Sequence, residues 1–282
     1  MGNINRPRLN SEDIELMRKI GKHNFVDMIY IYKFYKNNCK KRTVNDRITQ
    51  LAKHRYLNVM ETFVPPEYTA KKMKGYKIVS LGVKGIEIMK DIGVEVETNL
   101  KVLRNASSYR MYHQCQVAMV CDSLEYEFKN SKSKFEVAEI YSEKESFVKE
   151  AGNMPDAIVL FRPKAEYLIS RTERYIVVFI EIERSYSSLK RFKSKLKAYE
   201  NTITEGTYIK SFGISAMEQR VLFVAQTDGQ FKTIQDKINK TKYDNIGILV
   251  SKYSETCTAP TDRVYTSPKN GEKYKLLSKL EV

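Results

Sequence analysis

Cysteine and histidine are scarce in this sequence, which bears on two kinds of structural site. The four cysteines show no paired spacing, and there are only three histidines. Neither a disulfide framework nor a zinc site is therefore indicated, since both need such residues at close, regular spacing. We expect reduced, mostly buried thiols at Cys39, Cys115, Cys121 and Cys257.

Long apolar segments are also missing. No apolar run approaches the roughly 20 residues that a membrane-spanning helix needs. The start of the chain, MGNINRPRLNSEDIE, lacks the apolar stretch of a signal peptide. We therefore expect a cytoplasmic protein with no membrane segment.

At 282 residues, 42% of them hydrophobic, the chain can form one large domain or two ordinary ones, and we expect two.

Positive charge is in excess and is unevenly distributed. The chain has 49 Lys and Arg against 34 Asp and Glu, a formal net charge of +15. Residues 1–95 hold 19 basic and 10 acidic residues, whereas the remaining 187 hold 30 and 24. Such a field attracts polyanions, so nucleic acid is the expected partner. A solvated basic surface without a ligand would explain the charge equally well on composition alone.

The first 95 residues contain three predicted helices followed by a predicted β-hairpin. On the third helix, Val44, Ile48 and Leu51 form a narrow apolar stripe, which leaves the other face polar. The hairpin loop, PPEYTAKKMKG, is basic. This order predicts a winged helix-turn-helix domain over residues 1–95 and a linker at 96–108. Helices are predicted at 11–22, 26–35, 41–54 and 81–93, and strands at 56–64 and 76–81.

The polar face of the third helix carries residue types that recognise duplex DNA. Arg binds guanine and Asn or Gln binds adenine through paired hydrogen bonds, while Lys neutralises phosphates. Aromatic residues are not interleaved with the basic ones, which favours double-stranded over single-stranded DNA. A winged helix that only docks onto other proteins is the alternative. The predicted contacts to base edges and nearby phosphates are Arg42, Thr43, Asn45, Arg47 and Gln50; to the DNA backbone, Lys40, Lys41, Lys53 and Arg55; and from the wing, Lys71, Lys72, Lys74 and Lys77.

The second half of the chain alternates between predicted strands and helices, which is typical of an α/β layer architecture. We expect one α/β domain with a central mixed sheet over residues 109–282. The residues after about 252 show no regular pattern. A long helix is predicted at 109–129, strands at 134–141, 156–162, 175–183, 220–226 and 246–251, and further helices at 187–202 and 230–240.

Three acidic residues are expected at one edge of this sheet. Asp156 precedes an apolar strand, and Glu181 and Glu183 share one face of another strand because side chains alternate. If the two strands pair, the three carboxylates could bind Mg²⁺ or Mn²⁺. An ordinary ion-paired rim of the sheet is the competing interpretation.

Over residues 109–251 the order of elements and motifs resembles the PD-(D/E)XK nuclease superfamily. The resemblance implies that Asp156 and Glu181 are metal carboxylates and that position 183 holds a catalytic lysine, but Glu183 stands there. In the superfamily this lysine can come from the following helix. Lys190 is our candidate if the domain is active, and Lys193 and Lys197 share its helix face. An inactive nuclease fold kept for DNA contact is the alternative.

Three motifs together resemble the replication-relaxation family of plasmid and mobile-element proteins. They are TVNDRITQLAKHRYL at 43–57, the PDA strand start at 155–157, and EIERS at 181–185 followed by a basic helix ending in KLKAYE. The resemblance implies a role in the replication, relaxation or mobilisation of plasmid DNA. It also implies replication or relaxosome proteins as partners, and a homodimer is possible.

Three hypotheses follow from these predictions. The favoured one is a site-specific protein that binds double-stranded DNA, with a second domain that adds contacts. The second is a Mg²⁺-dependent nicking endonuclease that uses Asp156 and Glu181. The third is a transcriptional regulator with an α/β oligomerisation domain.

Overall fold

The chain divides into two compact units, each with its own β-sheet. The computed structural model describes residues 7–36, 38–62, 75–94, 96, 105–167, 174–183, 187–244 and 246–277. The units are Met1–Met119 and Val120–Val282. The predicted domains at 1–95 and 109–282 stay a prediction, because most of the linker expected between them lies outside the described residues. Within the described ranges, no helix combines the length and apolar character needed to cross a bilayer.

The N-terminal unit combines helices with a small antiparallel sheet. Its helices are α1 (Ser11–His23), α2 (Met28–Phe34), α3 (Lys41–Lys53) and α4 (Val83–Asp91), and its strands are β1 (Val26–Asp27), β2 (Leu57–Thr62) and β3 (Tyr76–Leu81). The strand order is β1-β3-β2, so β3 is paired on both sides. A longer helix, α5 (Ser108–Asn130), contributes Met111 and Cys115 to an apolar cluster with Phe25, Tyr76 and Ile78.

Helix α3 is anchored along one side only. The predicted stripe of Val44, Ile48 and Leu51 is buried. Burial of side chains of this size contributes about 1.5–3 kcal/mol each, so the stripe is sufficient to fix the helix on the unit. The opposite side of α3 is left in solvent.

Two glycines allow α4 to begin directly against the turn that follows α3. A Cβ atom at Gly82 would lie 2.3 Å from the carbonyl oxygen of Arg55, and one at Gly85 would lie 2.2 Å from that of Tyr56. Real side chains do not tolerate contacts this short. Arg55 itself adopts a φ of 63°, which reverses the chain between α3 and β2. The end of α3 is therefore held by backbone contact and not by side chains alone.

The C-terminal unit is built on a mixed sheet. In its described residues the strand order is β10-β9-β8-β7-β6-β5-β4, antiparallel from β4 to β6, parallel from β6 to β8, and antiparallel from β8 to β10. The strands are β4 (Phe135–Ser142), β5 (Ala157–Pro163), β6 (Tyr175–Glu183), β7 (Ala216–Ala225), β8 (Gly247–Lys252), β9 (Tyr265–Thr266) and β10 (Lys273–Tyr274). The helices that follow β6 are α6 (Leu189–Glu205), α7 (Thr207–Phe212), α8 (Asp228–Asn239) and α9 (Tyr253–Thr258).

Helix α6 covers the face of the sheet on which the acidic residues lie. It is the crossover between the parallel strands β6 and β7. Phe192, Leu196 and Tyr199 of α6 share one buried cluster with Val177 and Phe179 of β6. Because side chains alternate along a strand, the face that carries Val177 and Phe179 continues through positions 181 and 183. The two glutamates therefore face α6.

Candidate nucleic-acid interface and carboxylate site

The solvent-facing side of α3, together with its two ends, carries eight of the thirteen predicted DNA contacts. Asp46 is the single acidic residue in the helix sequence, so this surface is strongly cationic. We call it the α3 face. Its exposed members among the predicted contacts are Lys40, Lys41, Arg42, Thr43, Asn45, Gln50, Lys53 and Arg55.

A tyrosine from the preceding helix supports two of these side chains. The Tyr32 hydroxyl donates to Oδ1 of Asn45 at 2.7 Å, and Nζ of Lys41 lies 5.2 Å from the centre of the Tyr32 ring. Because Tyr32 is bonded to the amide oxygen, the amide nitrogen of Asn45 keeps its donors for another partner. The cation–π contact restrains the Lys41 side chain without neutralising its charge.

Arg47 does not belong to the α3 face, although we expected it to contact base edges. Its Nη2 lies 2.5 Å from Oδ2 of Asp13, and its Nε donates to Oδ1 of the same carboxylate at 3.1 Å. Further bonds join it to the carbonyl of Arg8 and to Oε1 of Gln50. With 16% of its side chain exposed, Arg47 links α3 to α1. We therefore correct its role from base contact to structural ion pair.

Asp13 is ionised at the centre of this link. It is completely buried, and burial alone would raise its pKa. Hydrogen bonds from Arg47, Asn10 and Tyr35 outweigh that effect and lower the pKa of Asp13 below its usual value. The Tyr35 hydroxyl donates at 2.6 Å and the Asn10 backbone N–H at 2.9 Å. The orientation of α3 thus depends on one buried carboxylate.

The predicted wing is described only in part. Lys71, Lys72 and Lys74 lie outside the described residues. Lys77 lies on β3, is exposed, and is 3.9 Å from the Glu61 carboxylate on the paired strand β2. Its charge is available to solvent and is only weakly compensated.

Strand pairing brings the three predicted acidic residues together at one end of the strands, where β5 begins and β6 ends. Asp156 immediately precedes β5, and its backbone N–H donates to the carbonyl of Ile180 at 3.0 Å. Its Oδ2 accepts from the backbone N–H of Ile182 at 2.7 Å. Asp156 is thereby fixed beside the segment of β6 that carries Glu181 and Glu183.

Lys195 of α6 contacts both glutamates. Its Nζ donates to Oε2 of Glu181 at 2.8 Å and to Oε1 of Glu183 at 3.0 Å. The Tyr199 hydroxyl donates to the other oxygen of Glu181 at 2.6 Å. We call Asp156, Glu181, Glu183, Lys195 and Tyr199 the carboxylate site.

The lysine that contacts the glutamates is Lys195, whereas our predicted candidate, Lys190, lies on the exposed side of α6. Lys190 and Lys193 are exposed, and Lys197 pairs with Glu200 at 2.7 Å. The sequence did contain a signal for Lys195. It lies three residues after Phe192 and four before Tyr199, which places it beside the buried stripe of α6 and not on the outer face.

The proposed metal ligands do not form a metal-binding group in this arrangement. Among the described residues, no three His, Cys, Asp or Glu side chains are placed so that they could hold one ion. Both oxygens of Glu181 already accept hydrogen bonds, and the Lys195 ammonium lies between the two glutamates. The predicted Mg²⁺ or Mn²⁺ site at Asp156, Glu181 and Glu183 stays a prediction, and in this arrangement Lys195 occupies oxygens of both glutamates.

Burial and neighbouring charge shift the pKa values of Glu181, Lys195 and Tyr199 in the carboxylate site, and burial raises that of Tyr199. Burial raises the pKa of Glu181 to about 7, with Asp156 adding to the rise and Lys195 opposing it. For Lys195, burial lowers the pKa, but the charges of Glu181 and Glu183 outweigh burial and raise it above its usual value. The Lys195 ammonium therefore stays charged throughout the neutral range, whereas Glu181 titrates within it.

We predict that Glu181→Gln flattens the pH dependence of stability. A carboxyl group with a raised pKa in the folded state stabilises the fold fully below its ordinary pKa of 4.5, and that contribution is lost as pH rises through about 7. The free energy of unfolding, measured by urea denaturation at pH 5 and at pH 8, should fall less in the variant than in the wild type. Glu205→Gln, an exposed position at the end of α6, is the control. If stability fell between pH 5 and pH 8 by the same amount in Glu181→Gln as in the wild type, the raised pKa of Glu181 would be contradicted.

Comparison with known proteins yields little similarity. No family model matches the sequence, and no curated protein matches it. Among solved structures, the match to restriction endonuclease FokI covers 89% of this chain and 44% of the FokI chain. The two are 9% identical, with a TM-score of 0.29. The match to FokI bound to DNA covers 89% of this chain and 45% of the FokI chain at 10% identity, with a TM-score of 0.24. The chain thus spans less than half of FokI, and at these scores the likeness supports no conclusion. The resemblance to the replication-relaxation family stays a prediction.

Proposed function

We propose that this chain binds double-stranded DNA through the α3 face. The observation that carries the proposal is that five basic side chains on α3 and at its ends are exposed together, with the apolar stripe of the same helix buried. A cluster of this kind neutralises phosphates and releases their counterions, which is the main source of affinity for DNA. The five are Lys40, Lys41, Arg42, Lys53 and Arg55.

The N-terminal unit supplies the scaffold for this contact as a winged helix. Its elements follow the order α1, β1, α2, α3, β2, β3, with the sheet order β1-β3-β2. In helix-turn-helix proteins the recognition helix lies in the major groove, and here that helix is α3. The β2–β3 hairpin then corresponds to the wing, with Lys77 at its base.

Sequence preference in this proposal comes from four side chains of α3. Arg42, Thr43, Asn45 and Gln50 are exposed and have donors for base edges, whereas Arg47 is bonded within the unit. Selecting bound duplexes from a random library tests this. We expect the wild type to enrich one motif and Arg42→Ala with Asn45→Ala to enrich none while still binding DNA. Equal enrichment by both proteins would remove these residues from base recognition.

We propose plasmid or mobile-element DNA as the target, on the basis of the three motifs described above. The runner-up is a transcriptional regulator, which would use the same α3 face. Footprinting on plasmid origins and on a promoter library separates the two roles. Protection confined to origins supports the plasmid role, in which replication or relaxosome proteins are the expected partners. Protection confined to promoters supports regulation.

For the C-terminal unit we propose a PD-(D/E)XK-like core that does not cut DNA. The order α5, β4, β5, β6, α6, β7 and the antiparallel-then-parallel sheet agree with that core. In place of the motif lysine, Glu183 stands on β6 and Lys195 comes from α6. Because the Lys195 ammonium is already bound between two carboxylates, the site favours binding or shape over turnover.

We predict that the purified chain does not nick supercoiled plasmid in Mg²⁺ or Mn²⁺. The competing hypothesis, a nicking endonuclease, makes the opposite prediction. The assay compares the wild type with Asp156→Ala and Glu181→Ala, and gel mobility reports the open-circular product. Nicking by the wild type that disappears in both variants would establish the enzyme and overturn our preference.

A further inference from the structure

The ammonium of Lys195 lies where the two buried glutamates concentrate negative charge. Glu181 and Glu183 are 5% and 8% exposed, so water screens them poorly. Lys195 donates to both, at 2.8 and 3.0 Å, which are ordinary distances for charge-assisted hydrogen bonds. Among the described residues, Lys195 is the cation that pairs with both of these carboxylates, which lie on one face of β6 beside Asp156.

Such a pair of carboxylates has the chemistry of a divalent-cation site, because Mg²⁺ and Mn²⁺ prefer carboxylate oxygens. The oxygens that a cation would use are the ones that Lys195 occupies. A bound metal and the Lys195 ammonium would therefore compete for the same two side chains.

The competition favours the lysine because it is tethered. Phe192, Leu196 and Tyr199, the buried neighbours of Lys195 on α6, fix the position from which the side chain extends. A group linked in this way acts at an effective concentration in the millimolar range or above. It also pays none of the translational entropy that a free ion loses on binding.

We infer that Lys195 is a built-in counterion that closes the carboxylate site to divalent cations. Removing its ammonium leaves Glu181 and Glu183 as a new cation site. The inference concerns the C-terminal unit alone, so it stands or falls separately from DNA binding by the α3 face.

The test is a metal rescue of thermal stability. We compare the melting temperature of the wild type, Lys195→Met and Lys197→Met, with and without millimolar Mn²⁺. Methionine keeps the apolar stem and removes the charge. Lys197 lies on the same helix, is exposed and pairs with Glu200, so it serves as the matched control. We expect Lys195→Met to melt at a lower temperature than the wild type and to regain the loss in Mn²⁺. The wild type and Lys197→Met should not respond to the metal.

A second variant and a direct binding readout complete the test. Lys195→Gln retains hydrogen-bond donors toward the glutamates, so it should fold even if Lys195→Met requires metal to do so. The free Mn²⁺ signal in electron paramagnetic resonance should decrease with Lys195→Gln and not with the wild type. Two results would overturn the inference: Mn²⁺ binding by the wild type that is lost in Glu181→Gln, or no Mn²⁺ binding by either Lys195 variant.

Discussion

Asp13→Ala is expected to lower the free energy of unfolding of the N-terminal unit by about 3–5 kcal/mol, the usual cost of removing one partner of a buried ion pair. Asp13 accepts hydrogen bonds from Arg47, Tyr35 and Asn10. Its loss leaves the Arg47 guanidinium without its carboxylate and frees α3 from α1. Urea denaturation followed by circular dichroism measures the change.

The control for this prediction is Asp46→Ala. Asp46 is exposed on α3, so its removal changes the same formal charge without opening a buried pair. Substitutions at exposed positions usually change stability by less than about 0.5 kcal/mol. If Asp13→Ala is no less stable than Asp46→Ala, the buried carboxylate does not hold α3 in place.

The same ion pair changes how an Arg47 variant should be interpreted. Arg47→Ala would weaken DNA binding by loosening α3 and not by removing a base contact. A double-mutant cycle with Asp13→Ala separates the two explanations, since contacting residues show a coupling energy of about 0.5–3 kcal/mol. Strictly additive effects on stability would contradict the pairing seen here.

Replacing Lys41, Arg42 and Lys53 together with alanine is expected to have the largest effect on duplex binding. Taking about 1 kcal/mol for each lost contact, affinity at low salt should fall on the order of 100-fold. The slope of log affinity against log salt concentration should become shallower by about three, because each basic residue neutralises about one phosphate. Fluorescence anisotropy titrations of a labelled duplex at several salt concentrations measure both quantities.

A triple variant of equal charge provides the comparison. Lys210, Lys232 and Lys240 are exposed in the C-terminal unit, and their replacement with alanine removes the same +3. We expect that variant to keep most of the affinity and most of the salt slope. An equal loss in both triple variants would mean that net charge, and not the α3 face, attracts the DNA.

The periodicity of apolar residues made much of the fold predictable. The stripe at Val44, Ile48 and Leu51 is buried as expected. The strand predicted at 175–183 has these bounds in the structure, and that at 156–162 is displaced by one residue. These segments could be predicted because burial of one face imposes a period on the local sequence, and burial of both faces of a strand gives a continuous apolar run.

Contacts between distant segments could not be read in this way. Asp13 and Arg47 are separated by 34 residues, and Arg47 in a polar helix face had every property of a DNA contact. Lys195 shows the reverse case, a site residue that the sequence analysis did not predict. It lies at the margin of the α6 stripe, where charge alone suggested solvent, and only the packing of α6 against β6 shows what it contacts.

The short elements near the C-terminus were not predicted at all. Helix α9 has six residues, and β9 and β10 have two each. Segments this short have no measurable period. Their position depends on tertiary contacts such as the bond from the buried Arg220 side chain to the carbonyl of Leu276, 56 residues away.

Lysine footprinting in the presence of duplex DNA tests most directly whether the α3 face is the surface that binds. The protein is treated with an amine-reactive reagent, with and without duplex at low ionic strength, and modification is quantified by mass spectrometry. We expect Lys40, Lys41 and Lys53 to be protected by DNA, while Lys90 on α4 and Lys210 on α7, both exposed, stay reactive. Equal reactivity of the three α3 lysines with and without bound duplex would contradict the account.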